Sequence, residues 1–248
     1  MGVMSSSQIR KMQESGRIVR LVLRELRQAA APGVTTAELD DLALRLIRSE
    51  GGIPSFLGYR GYPASVCISV NCVVVHGIPG NAPLACGDLV SLDVGVVKNG
   101  YHGDAADSFF VGGSPAHPDS SRLVDVTYEA LQLGIDAARP GNRTGDIGAV
   151  VQQRVEQAGY SVVRDLVGHG IGKRLHEEPQ VPNYGRRGTG ILLKQGMALA
   201  IEPMVNQGGW RVRMLEDGWT IVTEDGSLSA HAEQTVVVTD GEPLVLTA

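Results

Sequence analysis

Two Pro-Gly pairs, Pro32-Gly33 and Pro140-Gly141, divide this chain of 248 residues into two parts with the same order of features. Each pair separates two helical stretches, because proline lacks the N–H that a helix interior needs and glycine readily ends a helix. When the pairs are aligned, Thr36 falls on Thr144, and β-rich sequence follows each helix pair. The pattern predicts two related α/β halves packed face to face, with a site between them. Two unrelated helix pairs are the alternative.

Apolar residues at helical spacing predict where the four helices lie. In the first half we expect one helix over residues 7–30 and a second from a capping box at residues 35–38 to Gly51. In the second half a helix starts near Ser121 and ends before Pro140, and Thr144 is expected to cap the next one. We predict a tail of about residues 1–6 and one domain, with halves of about 7–115 and 116–248.

Composition restricts the class of protein. Hydrophobic residues make up 43% and charged residues 20%, which is ordinary for a globular enzyme. The net charge of −5 and the lack of a basic run argue against a nucleic-acid partner. Three cysteines, Cys67, Cys72 and Cys86, without CxxC spacing indicate reduced thiols. With neither a signal peptide nor a membrane-length apolar stretch in the sequence, we expect a cytoplasmic protein and no membrane partner.

A predicted β-hairpin places two acidic residues side by side. Residues 89–97 and 101–111 have the composition of strands, and Asn99-Gly100 between them is a strong signal for a two-residue turn. With the turn at that position, Asp93 faces Ala106, and Asp104 lies one diagonal step away on the same face. An aspartate in an apolar strand is costly unless it is paired or coordinated. The alternative is an Asp93 that faces solvent.

Three further residues complete a candidate set of metal ligands. His169 lies in a glycine-rich stretch, Glu202 ends an apolar run, and Glu233 precedes the apolar strand 236–238. Four carboxylates and one imidazole suit a pair of divalent cations such as Mn, Fe(II), Co or Zn. Two such cations commonly activate water for hydrolysis, so the sequence indicates a metallohydrolase.

These motifs together resemble the type I methionine aminopeptidases. The resemblance rests on residues 69–79, 88–104, 168–179, 201–206 and 227–235, which occur in the family's order. It implies the α+β pita-bread fold, in which two pseudo-symmetric α/β halves surround a central antiparallel sheet and a dinuclear metal site. It also implies a metalloexopeptidase that removes the initiator methionine from nascent proteins when the second residue is small, by attack of a hydroxide bound to both metals.

The resemblance assigns a role to each matching residue. Asp93, Asp104, His169 and Glu233 would be metal ligands, and Glu202 would be both a ligand and a proton-transfer group. His176 would bind the scissile carbonyl, and His76 would contact the second residue or help the leaving amine. The ions would be two of Co, Mn, Fe(II), Zn or Ni. Substrate-side residues implied for the methionine pocket are Tyr59, Tyr62, Cys67, Leu175 and Trp219. For Tyr59 and Tyr62, a role in the core alone is the alternative.

Several residues depart from the family's pattern. Leu175 stands where phenylalanine is usual beside His176, which predicts a more open pocket. The other departures near the motifs are Cys72, Val75, His231 and Gln234. None removes a metal ligand, so we expect them to adjust selectivity or metal preference.

Two other functions compete with this interpretation. A proline-specific peptidase of the aminopeptidase P type shares the metal ligands but usually carries a further N-terminal domain, whereas here we expect only a helix before the catalytic region. A non-catalytic binding protein with the same fold typically lacks some ligands. The expected partners are nascent chains that begin with methionine. Ribosome association suits a co-translational enzyme although no single residue indicates it, and a monomer is expected.

Overall fold

Helices pack against antiparallel sheets throughout the computed structural model, which describes residues 3–115 and 120–248. The α-helices in these ranges are α1 (Ser6–Ala29), α2 (Thr36–Ser49), α3 (Ser121–Asp136) and α4 (Thr144–Gln157). The strands are β1 (Ile53–Pro54), β2 (Cys67–Val70), β3 (Val73–Val75), β4 (Leu89–Lys98), β5 (Tyr101–Phe110), β6 (Ser161–Val162), β7 (Gly168–Gly170), β8 (Glu177–Val181), β9 (Ala198–Ile201), β10 (Met204–Asn206), β11 (Val212–Met214), β12 (Ile221–Thr223), β13 (Ser229–His231), β14 (Gln234–Val237) and β15 (Leu244–Val245).

The two largest sheets meet at the middle of the molecule. In the first, β4 pairs with β1, β2 and β5; in the second, the strand order is β15-β14-β9-β7-β8. Ala106 and Glu233 join them through two backbone hydrogen bonds of 3.3 and 3.1 Å. The smaller sheets have the orders β13-β10-β6 and β11-β12-β3. The central antiparallel arrangement of the predicted fold is therefore confirmed.

The helices lie where the apolar spacing predicted them, with one correction. Ser5 caps α1 and Thr35 caps α2. In both cases the cap hydroxyl accepts a hydrogen bond from the backbone N–H three positions later, and the side chain of that later residue accepts one from the cap N–H. Thr144 was expected to cap α4, but Arg143 occupies the cap position and Thr144 is the first helical residue. The Thr144 hydroxyl instead accepts a hydrogen bond from Ile191 N at 3.2 Å, which ties the helix to a neighbouring loop.

Matching backbone contacts support the predicted relation between the halves. Gly33 and Gly141 both have φ of 91°, a left-handed conformation that favours glycine. Gly33 N donates to Leu84 O, and Gly141 N donates to Leu193 O. Counting nine residues on from each leucine reaches Asp93 in one half and Glu202 in the other. The boundaries of the halves stay a prediction, since residues 1–2 of the tail and 116–119 at the junction lie outside the described residues.

Each half has its own hydrophobic core, and the predicted hairpin packs mainly in the core of the first half. One core joins α1 and α2 to β2, β4 and β5, and the other joins α3 and α4 to β9 and β14. The β4–β5 register pairs Asp93 with Ala106 and Gly95 with Asp104, around a turn in which Asn99 and Gly100 have φ of 55° and 76°. This is the predicted register. Among the described residues, no helix is both long and apolar enough to span a membrane.

Candidate metal centre

One cavity of about 160 Å³ between the halves contains every site residue predicted from the sequence. Its lining is Phe56, Tyr59, Arg60, Tyr62, Cys67, His76, Asp93, Asp104, His169, Leu175, His176, Glu202, Trp219 and Glu233. Phe56 and Arg60 are the two that sequence reasoning missed. The aromatic signal at Phe56 and the position of Arg60 between two site tyrosines were the available hints.

The carboxylates come from both central sheets. Asp93 and Asp104 project from the β4–β5 hairpin, Glu202 follows β9, and Glu233 precedes β14. Ala106 holds them together, because it faces Asp93 on β4 and bonds to the backbone of Glu233. Strand β4, which carries Asp93, and the segment that carries Glu233 are therefore linked through a single residue.

The imidazole of His169 faces these carboxylates. Ligand atoms of Asp104, His169 and Glu233 lie within 4.8 Å of one another, and all three residues are buried. His169 Nε2 is 3.6 Å from Glu202 Oε1, while Nδ1 lies 3.0 Å from Gly170 O. A hydrogen bond from Nδ1–H to that carbonyl leaves the Nε2 lone pair for a ligand in the site.

Three carboxylate oxygens lack protein partners. Asp93 Oδ1, Asp104 Oδ1 and Glu233 Oε1 are buried and have no hydrogen-bond partner among the described residues. Burial raises the pKa of Asp93 to about 7. Burial, followed by repulsion from neighbouring carboxylates, raises the pKa values of Asp104, Glu202 and Glu233 well above their usual range. Buried anions with free oxygen atoms are suited to divalent cations, so this donor set fits a metal centre.

Both neighbouring histidines are held neutral. Burial lowers the pKa of His169 to about 4. His176 is more exposed to solvent, but partial desolvation in the cavity, together with the proximity of His169, lowers its pKa to about 3. The two rings are 4.2 Å apart. His176 Nδ1 lies 2.8 Å from the Tyr59 hydroxyl, which leaves Nε2 of His176 free to act as a donor in the cavity.

An aromatic wall forms the opposite side of the cavity. The Tyr62 and Trp219 rings meet edge to face at 5.1 Å, and His76 is 6.1 Å from Trp219. The Tyr62 hydroxyl donates to the carbonyl oxygens of Gly77 and Val66, so Tyr62 both lines the cavity and packs in the core. The Asp217 carboxylate accepts hydrogen bonds from Trp219 N and Thr220 N, each at 2.8 Å, and thereby holds the loop that carries Trp219.

A fourth histidine lies at the edge of the centre. His231, predicted only as a departure near a motif, is buried, and its Nε2 is 3.7 Å from Glu202 Oε2. The three cysteines are free, and Cys67 is buried in the cavity wall. Burial and the nearby Asp93 raise the pKa of the Cys67 thiol, so this group stays protonated.

Comparison with known proteins gives consistent similarities. The model of metallopeptidase family M24 matches residues 10–240. The methionine aminopeptidase of Clostridium perfringens is 49% identical over 98% of this chain and 97% of its own length. Methionine aminopeptidase 1 of Bacillus subtilis is 49% identical over 92% of each chain. A crystal structure of methionine aminopeptidase from Thermotoga maritima superposes with a TM-score of 0.97 at 45% identity, covering 100% of this chain and 99% of that one.

More distant structures share the fold alone. The prolidase of Pyrococcus horikoshii superposes with a TM-score of 0.78 at 19% identity. This chain covers 63% of that prolidase, which is therefore the longer chain.

Proposed function

The chain belongs to metallopeptidase family M24 and to its methionine aminopeptidases, and from this premise we propose that it removes the initiator methionine from nascent proteins whose second residue is small. One observation carries the proposal. The four carboxylates and one histidine predicted as metal ligands line a single cavity, in which three buried carboxylate oxygens have no hydrogen-bond partner in the part of the chain that the structure describes.

Five residues are proposed to hold two divalent cations: Asp93, Asp104, His169, Glu202 and Glu233. Their oxygen-rich donor set with one nitrogen accommodates Co, Mn, Fe(II), Ni or Zn, and availability commonly decides among such ions. When bound, the cations supply Lewis acidity that activates water and polarises the scissile carbonyl.

Glu202 is proposed to move the proton. Its carboxyl lies beside the other acidic residues, and burial together with Asp93 and Asp104 raises its pKa. A carboxylate next to the activated water can accept its proton and pass it to the leaving amine. Glu202 is thus suited to act as base first and as acid afterwards.

The two cavity histidines are proposed to orient the peptide. A hydrogen bond from the Tyr59 hydroxyl to Nδ1 of His176 leaves its Nε2–H to donate to the scissile carbonyl oxygen. His76 lies against Trp219 and has a left-handed φ of 59°, a strained conformation of the kind that functional sites retain. We propose that His76 contacts the backbone amide of the second residue or assists the leaving amine.

The methionine side chain is proposed to enter the apolar end of the cavity. Tyr59, Tyr62, Cys67 and Trp219 present ring and sulfur surfaces that suit a polarizable thioether, and Phe56 extends them. Leu175 is buried at 2% exposure and contributes an aliphatic wall. A bulky second residue would be excluded sterically beside the metal centre.

The test is release of free methionine from Met-Ala-Ser by metal-depleted protein, alone and after addition of Mn, Fe(II), Co, Ni or Zn. We expect metal-dependent cleavage of Met-Ala-Ser, with Met-Leu-Ser and an Ala-Pro peptide left intact. Faster turnover of the Ala-Pro peptide would favour a proline-specific peptidase. Absence of cleavage with every metal would favour a non-catalytic binding protein.

We propose that the partners are nascent chains at the ribosome. We also propose that the enzyme acts in the cytoplasm as a monomer. One surface supports the ribosome contact alone: Arg164 stacks over the rings of Tyr184 and Trp210 at 5.8 and 5.0 Å, and Arg211 lies 5.0 Å from Trp210. Glu156 lies 3.8 Å from Arg164 and offsets part of its charge. The two arginines and two aromatic rings form a patch that suits an anionic surface.

Co-sedimentation with ribosomes at low and high salt tests that contact. We expect binding that weakens with salt and is lost in an Arg164→Glu/Arg211→Glu variant that keeps peptide turnover. Equal binding by wild type and variant would contradict the assignment to this patch.

A further inference from the structure

His231 is a buried imidazole without a hydrogen-bond partner for one nitrogen. Its side chain is 2% exposed, and Nε2 has no partner among the described residues. That atom faces Glu202 Oε2 at 3.7 Å, while the other carboxylate oxygen, Oε1, faces His169 Nε2 at 3.6 Å. Two imidazoles therefore bracket the Glu202 carboxylate, one on each oxygen.

The backbone holds His231 in this position. His231 N donates to Ser108 Oγ at 3.0 Å, and Ser108 Oγ donates to His231 O at 2.6 Å. Ser108 is itself bonded to Ser91 at 2.7 Å. His231 also pairs with Met204 across β10 and β13. The backbone is therefore fixed, and the 2% exposure of the side chain leaves its free nitrogen shielded from solvent.

A buried polar atom left without a hydrogen bond loses its hydration without compensation, so a partner in the working state is expected. Glu202 Oε2 is the acceptor that Nε2 faces. The 3.7 Å separation exceeds a hydrogen bond by a few tenths of an ångström, and hydrogen bonds at active sites often shorten only when the site is loaded. Among the described residues, Asn183 donates to the backbone carbonyl of Glu202 and so does not compete for Oε2.

We propose that His231 is a positioning residue for Glu202. Its Nε2–H donates to Oε2 of the carboxylate. This hydrogen bond keeps Oε1 directed toward His169 and the other proposed ligands and holds the proton-accepting carboxylate in place. The proposal rests on the proposed function, in which Glu202 is both a metal ligand and the group that moves the proton. Partners of this kind change metal affinity or activity by about 10- to 100-fold when they are removed.

Three substitutions at one position separate hydrogen bonding from packing. His231→Gln can place an amide N–H where Nε2 lies, whereas the shorter amide of His231→Asn reaches only the position of Nδ1. His231→Leu fills the space without a donor. We expect the Asn and Leu variants to lose about 10- to 100-fold in kcat on Met-Ala-Ser with KM within twofold, and the Gln variant to recover most of the loss.

Calorimetric titration of metal-depleted protein with Mn²⁺ provides a readout apart from turnover. We expect the Mn²⁺ dissociation constant to rise about tenfold in the Leu and Asn variants and to return toward wild type in the Gln variant. The melting temperature identifies any variant that fails to fold.

Three results would overturn the proposal: a Gln variant no better than the Asn variant, a Leu variant with more than half the wild-type kcat, or unchanged Mn²⁺ affinity in the Leu variant. If the wild type released no methionine, the proposed function would fail, and the Mn²⁺ series would still decide the positioning role.

Discussion

At the scale of single residues, the chemistry depends on buried groups whose partners lie far away in sequence. Glu202 is 3.6 Å from His169 and 3.7 Å from His231, and its carboxyl is only 14% exposed. A carboxylate so placed is stable when a cation neutralises it and when a donor orients it. Its neighbours therefore determine both its affinity for metal and its ability to move a proton.

Replacement of Glu202 tests both roles at once. Glu202→Ala should weaken Mn²⁺ binding and reduce turnover of Met-Ala-Ser below a tenth of wild type, since one change removes a ligand and the proton acceptor. Calorimetry and methionine release measure the two effects. The matched control is Glu14→Ala on the exposed face of α1, which should change neither. More than a tenth of the activity remaining in Glu202→Ala would refute the assigned role.

His176 should affect rate without affecting metal. His176→Ala removes the proposed donor to the scissile carbonyl, and loss of one such donor costs roughly 10²–10³ in kcat. Mn²⁺ affinity should stay at the wild-type value, because His176 Nδ1 contacts Tyr59 and is not among the proposed ligands. Unchanged steady-state kinetics would count against this role.

At the scale of elements, close packing of α1 on the β4–β5 hairpin holds one ligand in place. Gly103 on β5 approaches the backbone of Gly16 on α1, and a Cβ at Gly103 would lie 2.8 Å from Gly16 N. Backbone atoms cannot yield as a flexible side chain would. Since Asp104 follows Gly103 directly, a shift of β5 would also move a metal ligand.

Gly103→Ala should therefore lower the free energy of unfolding by about 1–3 kcal/mol and weaken Mn²⁺ binding. Denaturant unfolding and calorimetry measure the two effects. Gly241→Ala is the control, because a Cβ there meets nothing within 4 Å and the residue is not left-handed. Equal stability of the two variants would show that α1 can move away without cost.

At the scale of the whole molecule, the metal centre makes stability depend on pH. The folded-state pKa of Asp93 is raised to about 7, and those of Asp104, Glu202 and Glu233 are also raised, so the folded metal-free protein binds more protons than the unfolded chain. Stability then falls as pH rises. Histidines with lowered pKa values, such as His169, have the opposite effect, but only below their unfolded value of about 6.5.

Between about pH 6.5 and 8, the carboxyls should therefore dominate, and the melting temperature of metal-depleted protein should fall as pH rises. Saturating Mn²⁺ should remove that fall, because the cation stabilises the ionised carboxylates. Thermal melts across this range, with and without Mn²⁺, test the prediction. A metal-free melting temperature that rises from pH 6.5 to 8 would contradict it.

Local signals alone determined the parts of this protein that lie close together in sequence. The apolar spacing placed the helices, and Asn99-Gly100 set the register that brings Asp93 beside Asp104, because a two-residue turn leaves no freedom in how the strands pair. The alignment of the Pro-Gly pairs predicted two related halves. The cap of α4 was predicted at Thr144 and lies at Arg143, a difference of one residue that is usual at a helix end.

Only the tertiary structure decided which residues from the two halves meet. Three contacts at the site join positions more than twenty residues apart: Ala106 with Glu233, His169 with Glu202, and His231 with Glu202. From the sequence, His169, Glu202 and Glu233 could be grouped as candidate ligands by residue type and local context, but which atoms meet could not be predicted, and nothing placed His231 beside Glu202. The physical reason is that a turn fixes its own register, whereas contacts across the interface depend on how two complete cores pack against each other.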